Sequence, residues 1–268
     1  MKKNINYNYK CNSDYRTRNM LIKEAGFDGV FLYSQYNPEV YIDSIIESGL
    51  QIETLHLSYK QIVEGNCINS QYVNCIWQDN DDTNKYVSKL ISEIDFASSY
   101  GIDKVVMHIT GGNNPPEYNE NGLKHIETIL NHCARNNIIL CLENLRRLDY
   151  LIYVFDNLYS DYLKFCFDSG HANYMTKNAN SFPWDVFGKY LSCLHLNDNS
   201  GEKDSHSIPF TGAIKWESLV GEIRTYAKDI GLTLEVRASK EQASCVSEKD
   251  FLNSCKSSLD RIELLYKR

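Results

Sequence analysis

The stretch YGIDKVVMH, residues 100–108, combines a helix end, a strand and a polar strand terminus in one short segment. Gly101 follows a helical pattern and precedes an apolar run, which is the expected position of a glycine that ends a helix. The same helix–glycine–strand junction recurs in three other segments: AGFDGV (25–30), SGLQIE (48–53) and IGLTLE (230–235). A junction that repeats along the chain predicts a regular alternation of helices and strands.

Outward from these junctions, the chain contains eight apolar runs of strand length. They lie near residues 3–9, 28–34, 51–57, 104–110, 137–143, 163–168, 191–197 and 232–236. Helical patterns occur between them, for example at 83–99, 121–135, 215–229 and 250–267. This alternation predicts a parallel sheet, and eight repeats predict a closed (β/α)8 TIM barrel, with an open doubly wound sheet as the alternative. Since the composition shows no break or low-complexity linker, we expect one domain over residues 1–268.

Composition and charge restrict the class of protein. The net charge of −7 disfavours non-specific binding to nucleic acid or to an anionic membrane. No apolar run reaches the roughly 18–20 residues of a membrane span, and the N-terminal sequence MKKNINYNYK lacks the apolar core of a signal peptide. Nine cysteines without a CxxC pair are typical of free thiols in a reducing compartment. We therefore expect a cytoplasmic protein with neither a membrane nor a nucleic-acid partner.

Six of the predicted strands end in a side chain that binds metals or transfers protons: His56, His108, Glu143, Asp168, His195 and Glu235. The C-terminal ends of all strands in a barrel meet at one mouth, where active sites are built. Crowded carboxylates and imidazoles are costly to bury unless a cation is present. A mixed Glu/Asp/His set suits Mn²⁺, Co²⁺, Zn²⁺ or Mg²⁺, and the absence of thiolate ligands argues against a structural zinc. The strand ends therefore predict a site for a divalent metal.

Several segments are informative through their order and spacing. They are EAGFDGVFL, SGLQIETLH, VVMH, LCLENL, FDSGH, HLNDN followed by DSH, and LTLEV. Together they resemble the xylose isomerase-like TIM-barrel superfamily, and the resemblance extends over most of the chain. This superfamily contains sugar and sugar-phosphate isomerases and epimerases as well as the endonuclease IV branch.

The resemblance implies two alternative ligand sets. In isomerase and epimerase members one divalent cation is held by four residues, which match Glu143, Asp168, His195 and Glu235. The endonuclease branch binds two further metals, up to three Zn²⁺ in all. The matching positions for these are His56 and His108 with a shared Glu143, and then His171, Asp204 and His206. Every one of these positions is filled in this sequence.

Three features favour the isomerase and epimerase side of the family. EAGFDGVFL resembles the isomerase form of its strand, FTGAIKW (210–216) resembles a G-x-G-x-I-D-W segment of that branch, and the net charge gives no sign of a DNA groove. One departure is that Gly201 stands where ketose 3-epimerases have an arginine, which argues against a free-ketohexose epimerase. The alternatives are an endonuclease IV-like abasic-site endonuclease and a barrel that binds without catalysis. The presence of both Glu143 and Glu235 argues against the latter.

The expected reaction is isomerisation or epimerisation of a sugar, a sugar phosphate or a related polyhydroxy carbonyl compound. A divalent cation stabilises the enediolate that forms when the α-proton leaves. Glu143 and Glu235 are then the two groups that remove and return the proton, while His171 hydrogen-bonds a substrate oxygen. A metal-assisted 1,2-hydride shift is the alternative, and it needs the same ligands. An aromatic wall for the substrate is predicted from Tyr33, Trp184 and Phe210.

Overall fold

The computed structural model describes residues 1–9, 13–176, 179–227 and 229–268, with the backbone alone at Asn180. The strands are β1 (Lys3–Asn6), β2 (Gly29–Tyr33), β3 (Gln51–His56), β4 (Gln61–Val63), β5 (Asn66–Asn69), β6 (Lys104–Met107), β7 (Ile139–Glu143), β8 (Leu163–Asp168), β9 (Leu191–His195) and β10 (Leu232–Leu234). The α-helices are α1 (Tyr15–Glu24), α2 (Ile42–Glu47), α3 (Asp81–Ser99), α4 (Glu120–Arg135), α5 (Leu148–Asn157), α6 (Ser169–Met175), α7 (Trp184–Phe187), α8 (Trp216–Tyr226), α9 (Lys240–Cys245) and α10 (Glu248–Tyr266). Each of the eight predicted strands is present.

The eight predicted strands form one sheet in the order β10-β1-β2-β3-β6-β7-β8-β9. The pairings β10–β1, β1–β2, β3–β6, β6–β7 and β7–β8 are parallel. The two ends of this order are also joined, because Leu196, directly after β9, forms a parallel bridge with Leu234 of β10. The Leu196 N–H donates to the Thr233 carbonyl at 2.8 Å, and its carbonyl accepts from the Glu235 N–H at 3.1 Å. This closure confirms the predicted TIM barrel and excludes an open doubly wound sheet.

The chain packs into two compact units. The terminal unit comprises residues 1–32, 38–53 and 167–268, and the central unit comprises residues 33–37 and 54–166. Fully buried apolar side chains in the terminal unit include Ile5, Val30, Leu194, Leu234 and Leu259. Those in the central unit include Leu55, Val105, Ile126, Leu140 and Phe165. The single domain over residues 1–268 stays a prediction.

The long helices begin where a polar side chain satisfies their first N–H groups. Asn80 precedes α3 and accepts a hydrogen bond from the Thr83 N–H at 3.0 Å. Asp81 and Asp82 occupy the first turn of α3, where negative charge complements the helix dipole. Asn119 caps α4 in the same way. The four predicted helices are confirmed, although α8 ends earlier than expected.

Three of the four predicted glycine junctions have the left-handed backbone that glycine tolerates: Gly26 (φ 87°), Gly49 (φ 79°) and Gly101 (φ 68°). The prediction for Gly231 is wrong. Helix α8 already ends at Tyr226, and the positive φ of 60° falls on Asp229, since aspartate also tolerates this conformation. Gly231 serves close packing instead, because a Cβ there would lie 3.2 Å from the amide nitrogen of Asn4.

Replacing Gly101 with alanine is expected to lower the free energy of unfolding by about 1 kcal/mol, because an L-residue is strained at positive φ. No described atom lies within 4 Å of the added Cβ, so strain is the whole effect. Gly221 is the matched control, since its Cβ position is equally open but lies inside α8. Gly221→Ala should raise stability by about 1 kcal/mol. Urea unfolding measures both, and a change of the same sign in the two variants would contradict this explanation.

The hairpin β4–β5 follows β3 and was not predicted from the sequence. Its strands pair antiparallel, and the turn residues Glu64 and Gly65 both have positive φ, at 49° and 79°. Two successive residues at positive φ define the type I′ turn of short hairpins. Val63 and Ile68 of the hairpin are exposed. The missing signal is the regular alternation of apolar and polar residues that usually marks a strand.

Among the described helices, none combines the length and the apolarity that a membrane crossing requires. The described cysteines are all free thiols. Most of them are buried and act as small apolar core residues, whereas Cys67 and Cys245 are exposed.

Candidate metal centre

In the central unit, two histidines converge on one carboxylate. The Nε2 atoms of His56 and His108 lie 3.1 Å and 3.0 Å from Oε2 of Glu143, and 3.3 Å from each other. All three residues are buried. Each comes from the end of a different strand region, as the sequence predicts, and the three form one group of possible metal ligands.

The orientation of His56 determines which ring nitrogen faces Glu143. Its Nδ1 lies 2.9 Å from the carbonyl oxygen of Leu57, which accepts only, so Nδ1 carries a proton and donates it. Nε2 then points at the carboxylate and at the second imidazole. His56 Nε2 and Glu143 Oε2 therefore present lone pairs to each other. A proton or a metal cation between these two atoms stabilises their close approach.

Aromatic rings cover this cluster. Tyr33 lies 5.3 Å from the His56 ring centroid, and Tyr59 lies 5.3 Å from His56 and 4.4 Å from His108. The Lys60 ammonium group lies 4.8 Å from the Tyr59 ring centroid. The predicted substrate contact Tyr33 therefore does lie beside a predicted ligand.

The terminal unit contains a second convergence of carboxylates and imidazole. One ligand atom each from Asp168, His195 and Glu235 lies within 4.8 Å of the others, and all three residues are buried. His195 Nδ1 is 3.0 Å from Oε2 of Glu235. The ring of Phe31 is stacked on His195 with centroids 4.5 Å apart and an interplanar angle of 13°. Phe31 fixes the plane of this imidazole, a role that the sequence pattern did not indicate.

A third group in the terminal unit consists of His171, Asp204 and His206. Asp204 Oδ2 lies 3.5 Å from His171 Nε2 and 3.3 Å from His206 Nε2. His206 Nδ1 lies 3.1 Å from the carbonyl oxygen of Glu235, so this ring also turns Nε2 towards its carboxylate. His171 Nδ1 is 3.7 Å from Asp168 Oδ1, which places the group beside the Asp168–His195–Glu235 cluster.

The electrostatics of this third group follow from burial and charge. Burial opposes protonation of His206, but the carboxylates of Glu235, Asp204 and Asp168 outweigh that effect and raise its pKa to about 9. Burial likewise opposes ionisation of Asp204, yet the neighbouring imidazoles of His171 and His206 hold the pKa of Asp204 well below its usual range. The group therefore carries an ionised carboxylate that attracts positive charge. Asp204 Oδ1 is buried and has no hydrogen-bond partner within the described part of the chain.

Two predicted substrate contacts have other neighbours. Trp184 is buried and packs 4.5 Å from Phe167 and 5.8 Å from Tyr226, measured between ring centroids. Phe210 packs against Trp216, and the Arg261 guanidinium covers its ring at 3.7 Å. Trp184 thus packs against β8 and α8, and Phe210 against α8 and α10, so neither residue enters the proposal below as a substrate contact.

The donor set fits a divalent cation. The three groups described above consist of carboxylates and imidazoles, whose oxygen and nitrogen atoms are ligands for Mn²⁺, Co²⁺, Zn²⁺ and Mg²⁺ to different degrees. The groups lie at ligand-like separations and are buried, an arrangement that is costly without a compensating positive charge. The remaining two histidines are accounted for elsewhere, since His125 contacts the Ile76 carbonyl and His132 contacts Asp95.

A family model described as a xylose isomerase-like TIM barrel matches residues 20–255 of the chain. The uncharacterized protein y4fM of Sinorhizobium fredii is 27% identical over 150 residues, which are 51% of this chain and 48% of that protein. The chain thus matches about half the length of this relative.

Solved structures with the same fold extend over the whole chain. D-Psicose 3-epimerase with D-tagatose, from Clostridium cellulolyticum H10, has a TM-score of 0.76 at 14% identity and covers 99% of both chains. A D-tagatose 3-epimerase-like protein has a TM-score of 0.75 at 17% identity, covering 100% of this chain and 99% of the other. The IolI protein with a bound zinc atom has a TM-score of 0.74 at 13% identity and covers 99% of both. At these identities the likeness is one of fold.

Proposed function

The chain belongs to the family of xylose isomerase-like TIM barrels, and on that premise we propose that it is a divalent-metal-dependent isomerase or epimerase. Its substrate is a sugar, a sugar phosphate or a related polyhydroxy carbonyl compound. The observation that carries this proposal is the buried convergence of Asp168, His195 and Glu235, whose ligand atoms lie within 4.8 Å of one another. A fold alone does not select a function, so the proposal depends on this site.

The fourth proposed ligand is Glu143, at the end of β7. In the pairing of β7 with β8, Glu143 is opposite Cys166. Asp168 lies two residues further along β8, so its side chain is on the same face of the strand as Cys166. This register supports a ligand set of Glu143, Asp168, His195 and Glu235.

The roles of the residues follow from their chemistry. A divalent cation held by these side chains would polarise adjacent carbonyl and hydroxyl oxygens of the substrate. It would thereby lower the pKa of the α-proton, which is bound to the carbon that carries the hydroxyl group. Glu143 and Glu235 are the proposed acid–base pair, in which one carboxylate removes the α-proton and the other returns a proton. His171 is the proposed hydrogen-bond donor to a substrate oxygen, and Tyr33 with Tyr59 supplies an apolar wall.

The comparisons support this choice of chemistry and substrate class. Two of the structural relatives are named for the 3-epimerisation of ketoses, and another holds a zinc atom. Most sites of this kind rank the divalent first-row metals in the same order of affinity. Which metal this chain prefers therefore depends on ligand geometry and on metal availability.

A second candidate, an endonuclease IV-like abasic-site enzyme with up to three Zn²⁺, is favoured by one observation. The groups His56–His108–Glu143 and His171–Asp204–His206 each bring three possible ligands together. The net charge of −7 disfavours it, because a DNA-binding groove relies on clustered lysine and arginine residues.

The test is solvent hydrogen exchange in a substrate panel. The protein, loaded with Mn²⁺, Co²⁺, Zn²⁺ or Mg²⁺, is incubated in D2O with ketoses, ketose phosphates and an abasic oligonucleotide. We expect deuterium to enter at the carbon next to a carbonyl of at least one ketose-type compound, read by NMR, because the carboxylates exchange the abstracted proton with solvent.

Elemental analysis of the purified protein should give about one tightly held divalent ion per chain. Cleavage of the oligonucleotide with three zinc ions per chain, and no exchange, would favour the endonuclease instead.

A further inference from the structure

Three consecutive polar residues follow the ligand His195 after a single leucine. They are Asn197, Asp198 and Asn199, here called the NDN segment, and their exposed fractions are 0%, 0% and 1%. Burying three adjacent polar side chains is costly unless each is hydrogen-bonded. None of them belongs to the proposed ligand set, so their partners indicate a different role.

Asn197 holds the ligand Asp168. Its Nδ2 donates to Asp168 Oδ2 at 2.7 Å, while the other carboxylate oxygen, Oδ1, accepts from the His171 N–H at 2.5 Å. The Asn197 backbone is fixed in turn, since its N–H donates to Ser169 Oγ and its carbonyl accepts from the same hydroxyl. A Cβ on Gly170 would lie 1.8 Å from Asn197 Oδ1, so only glycine leaves room for this amide.

Asp198 holds the loop that follows Asp204 and His206. Its Oδ1 accepts from the Ile214 N–H at 3.2 Å, and its Oδ2 accepts from the Phe210 N–H at 3.0 Å and from Trp216 Nε1 at 2.8 Å. Its backbone also exchanges two hydrogen bonds with Ser207, at 2.8 and 2.9 Å. The backbone of Asp198 thus holds the residue after His206, and its carboxylate holds the chain from Phe210 to the start of α8. Neutral N–H donors satisfy this carboxylate without a cation.

Asn199 joins these two regions. Its Nδ2 donates to the Gly170 carbonyl at 2.8 Å, and its Oδ1 accepts from Asn173 Nδ2 at 2.9 Å. Its carbonyl oxygen accepts from the Ala213 N–H at 2.8 Å. The helix that carries His171 and the loop that follows His206 are therefore fastened to the same residue.

We propose that the NDN segment is the positioning element of the site: Asn197 orients the carboxylate of Asp168 towards the cation, and Asp198 fixes the loop that follows Asp204 and His206. The inference rests on the proposed metal centre and assigns residues outside its ligand set. The Asn197 amide donates to one oxygen of the Asp168 carboxylate and leaves the remaining lone pairs of that carboxylate directed at the cation. Hydrogen-bond partners of metal ligands strongly affect metal affinity.

Asn197→Asp tests the first half of the proposal. This substitution keeps the shape but replaces the donor with a second carboxylate oxygen, which repels Asp168 and turns it away. We expect the affinity for Mn²⁺, measured by isothermal titration of the metal-free full chain, to fall by about 10- to 100-fold. Asn19→Asp is the matched control: Asn19 is equally buried in the same unit and its amide donates to the Ser44 carbonyl, remote in sequence from every ligand. It should lose stability without losing Mn²⁺ affinity. If Asn197→Asp does not fold, Asn197→Ala takes its place, with thermal unfolding as the check.

Asp198→Asn tests the second half. We expect amide hydrogen exchange at Phe210 and Ile214 to accelerate at least 10-fold, while Mn²⁺ affinity changes less than in Asn197→Asp. Wild-type Mn²⁺ affinity in Asn197→Asp, or unchanged exchange in Asp198→Asn, would overturn the assignment. Absence of Mn²⁺ binding by the wild-type chain would instead overturn the proposed function, and the inference with it.

Discussion

Glu235→Gln and Glu143→Gln are each expected to lower turnover by a factor on the order of 10³ while leaving the fold intact. A glutamine side chain cannot take up or release the α-proton at neutral pH, and acid–base groups contribute roughly 10²- to 10⁴-fold to rate. The substitution also replaces an anionic ligand with a neutral one. Glu235 Oε2 lies 3.0 Å from His195 Nδ1, so its loss changes the charge around the proposed cation as well.

The measurement is steady-state turnover together with deuterium exchange, on variants whose circular dichroism and unfolding temperature match those of the wild type. Glu263→Gln is a control of the same chemistry, because Glu263 forms a part-buried ion pair with Lys3 at 2.7 Å and is not one of the proposed ligands. It should keep full activity. Near-normal turnover in both Glu143→Gln and Glu235→Gln would remove the two glutamates from the mechanism.

Removing the metal is expected to abolish activity and to lower the unfolding temperature by about 10 °C. A ligand that binds only the folded state stabilises it by about 4 kcal/mol at 1,000 times its dissociation constant. For a chain of this size each kcal/mol corresponds to roughly 2–4 °C. The buried carboxylates and imidazoles that the cation joins would otherwise repel each other or take up protons.

Treatment with a chelator followed by dialysis, differential scanning calorimetry and add-back of single metals measures this effect. Asp168→Asn provides the comparison, since it lacks a proposed ligand and its unfolding temperature should hardly respond to the chelator. Full activity of wild-type protein that elemental analysis finds free of metal would contradict metal dependence.

The barrel was predictable because its signals are local. The recurrent helix–glycine–strand junction and the apolar strands lie within short windows, and Gly26, Gly49 and Gly101 behave as this pattern predicts. The junction at Gly231 failed because α8 already ends at Tyr226 and the residue with positive φ before β10 is Asp229, not a glycine. The hairpin β4–β5 escaped prediction because its strands have only three and four residues and show no regular alternation of apolar and polar residues.

The strand-end residues were predictable from the rule that parallel strands end at one mouth of a barrel. Within each unit, the structure groups His56 with His108 and Glu143, and Asp168 with His195 and Glu235. The residues that orient these ligands were harder to predict. Phe31 stacks on His195, and Asp198 accepts hydrogen bonds from the N–H groups of Phe210 and Trp216. These are tertiary contacts, which the periodicity of a sequence does not indicate. The packing of Trp184, which begins α7, and of Phe210 could not be predicted either, because an aromatic residue in a sequence gives no sign of the side on which it packs.

The bridge between Leu196 and Leu234 has a consequence for behaviour in concentrated solution. Because it joins the first and last strands of the sheet order, every strand of the sheet has a hydrogen-bonded neighbour on each side. An unpaired strand is a template onto which a foreign chain can add, and such addition begins fibril growth. The folded molecule therefore offers no such template in its main sheet, and aggregation is expected to start from unfolded chains.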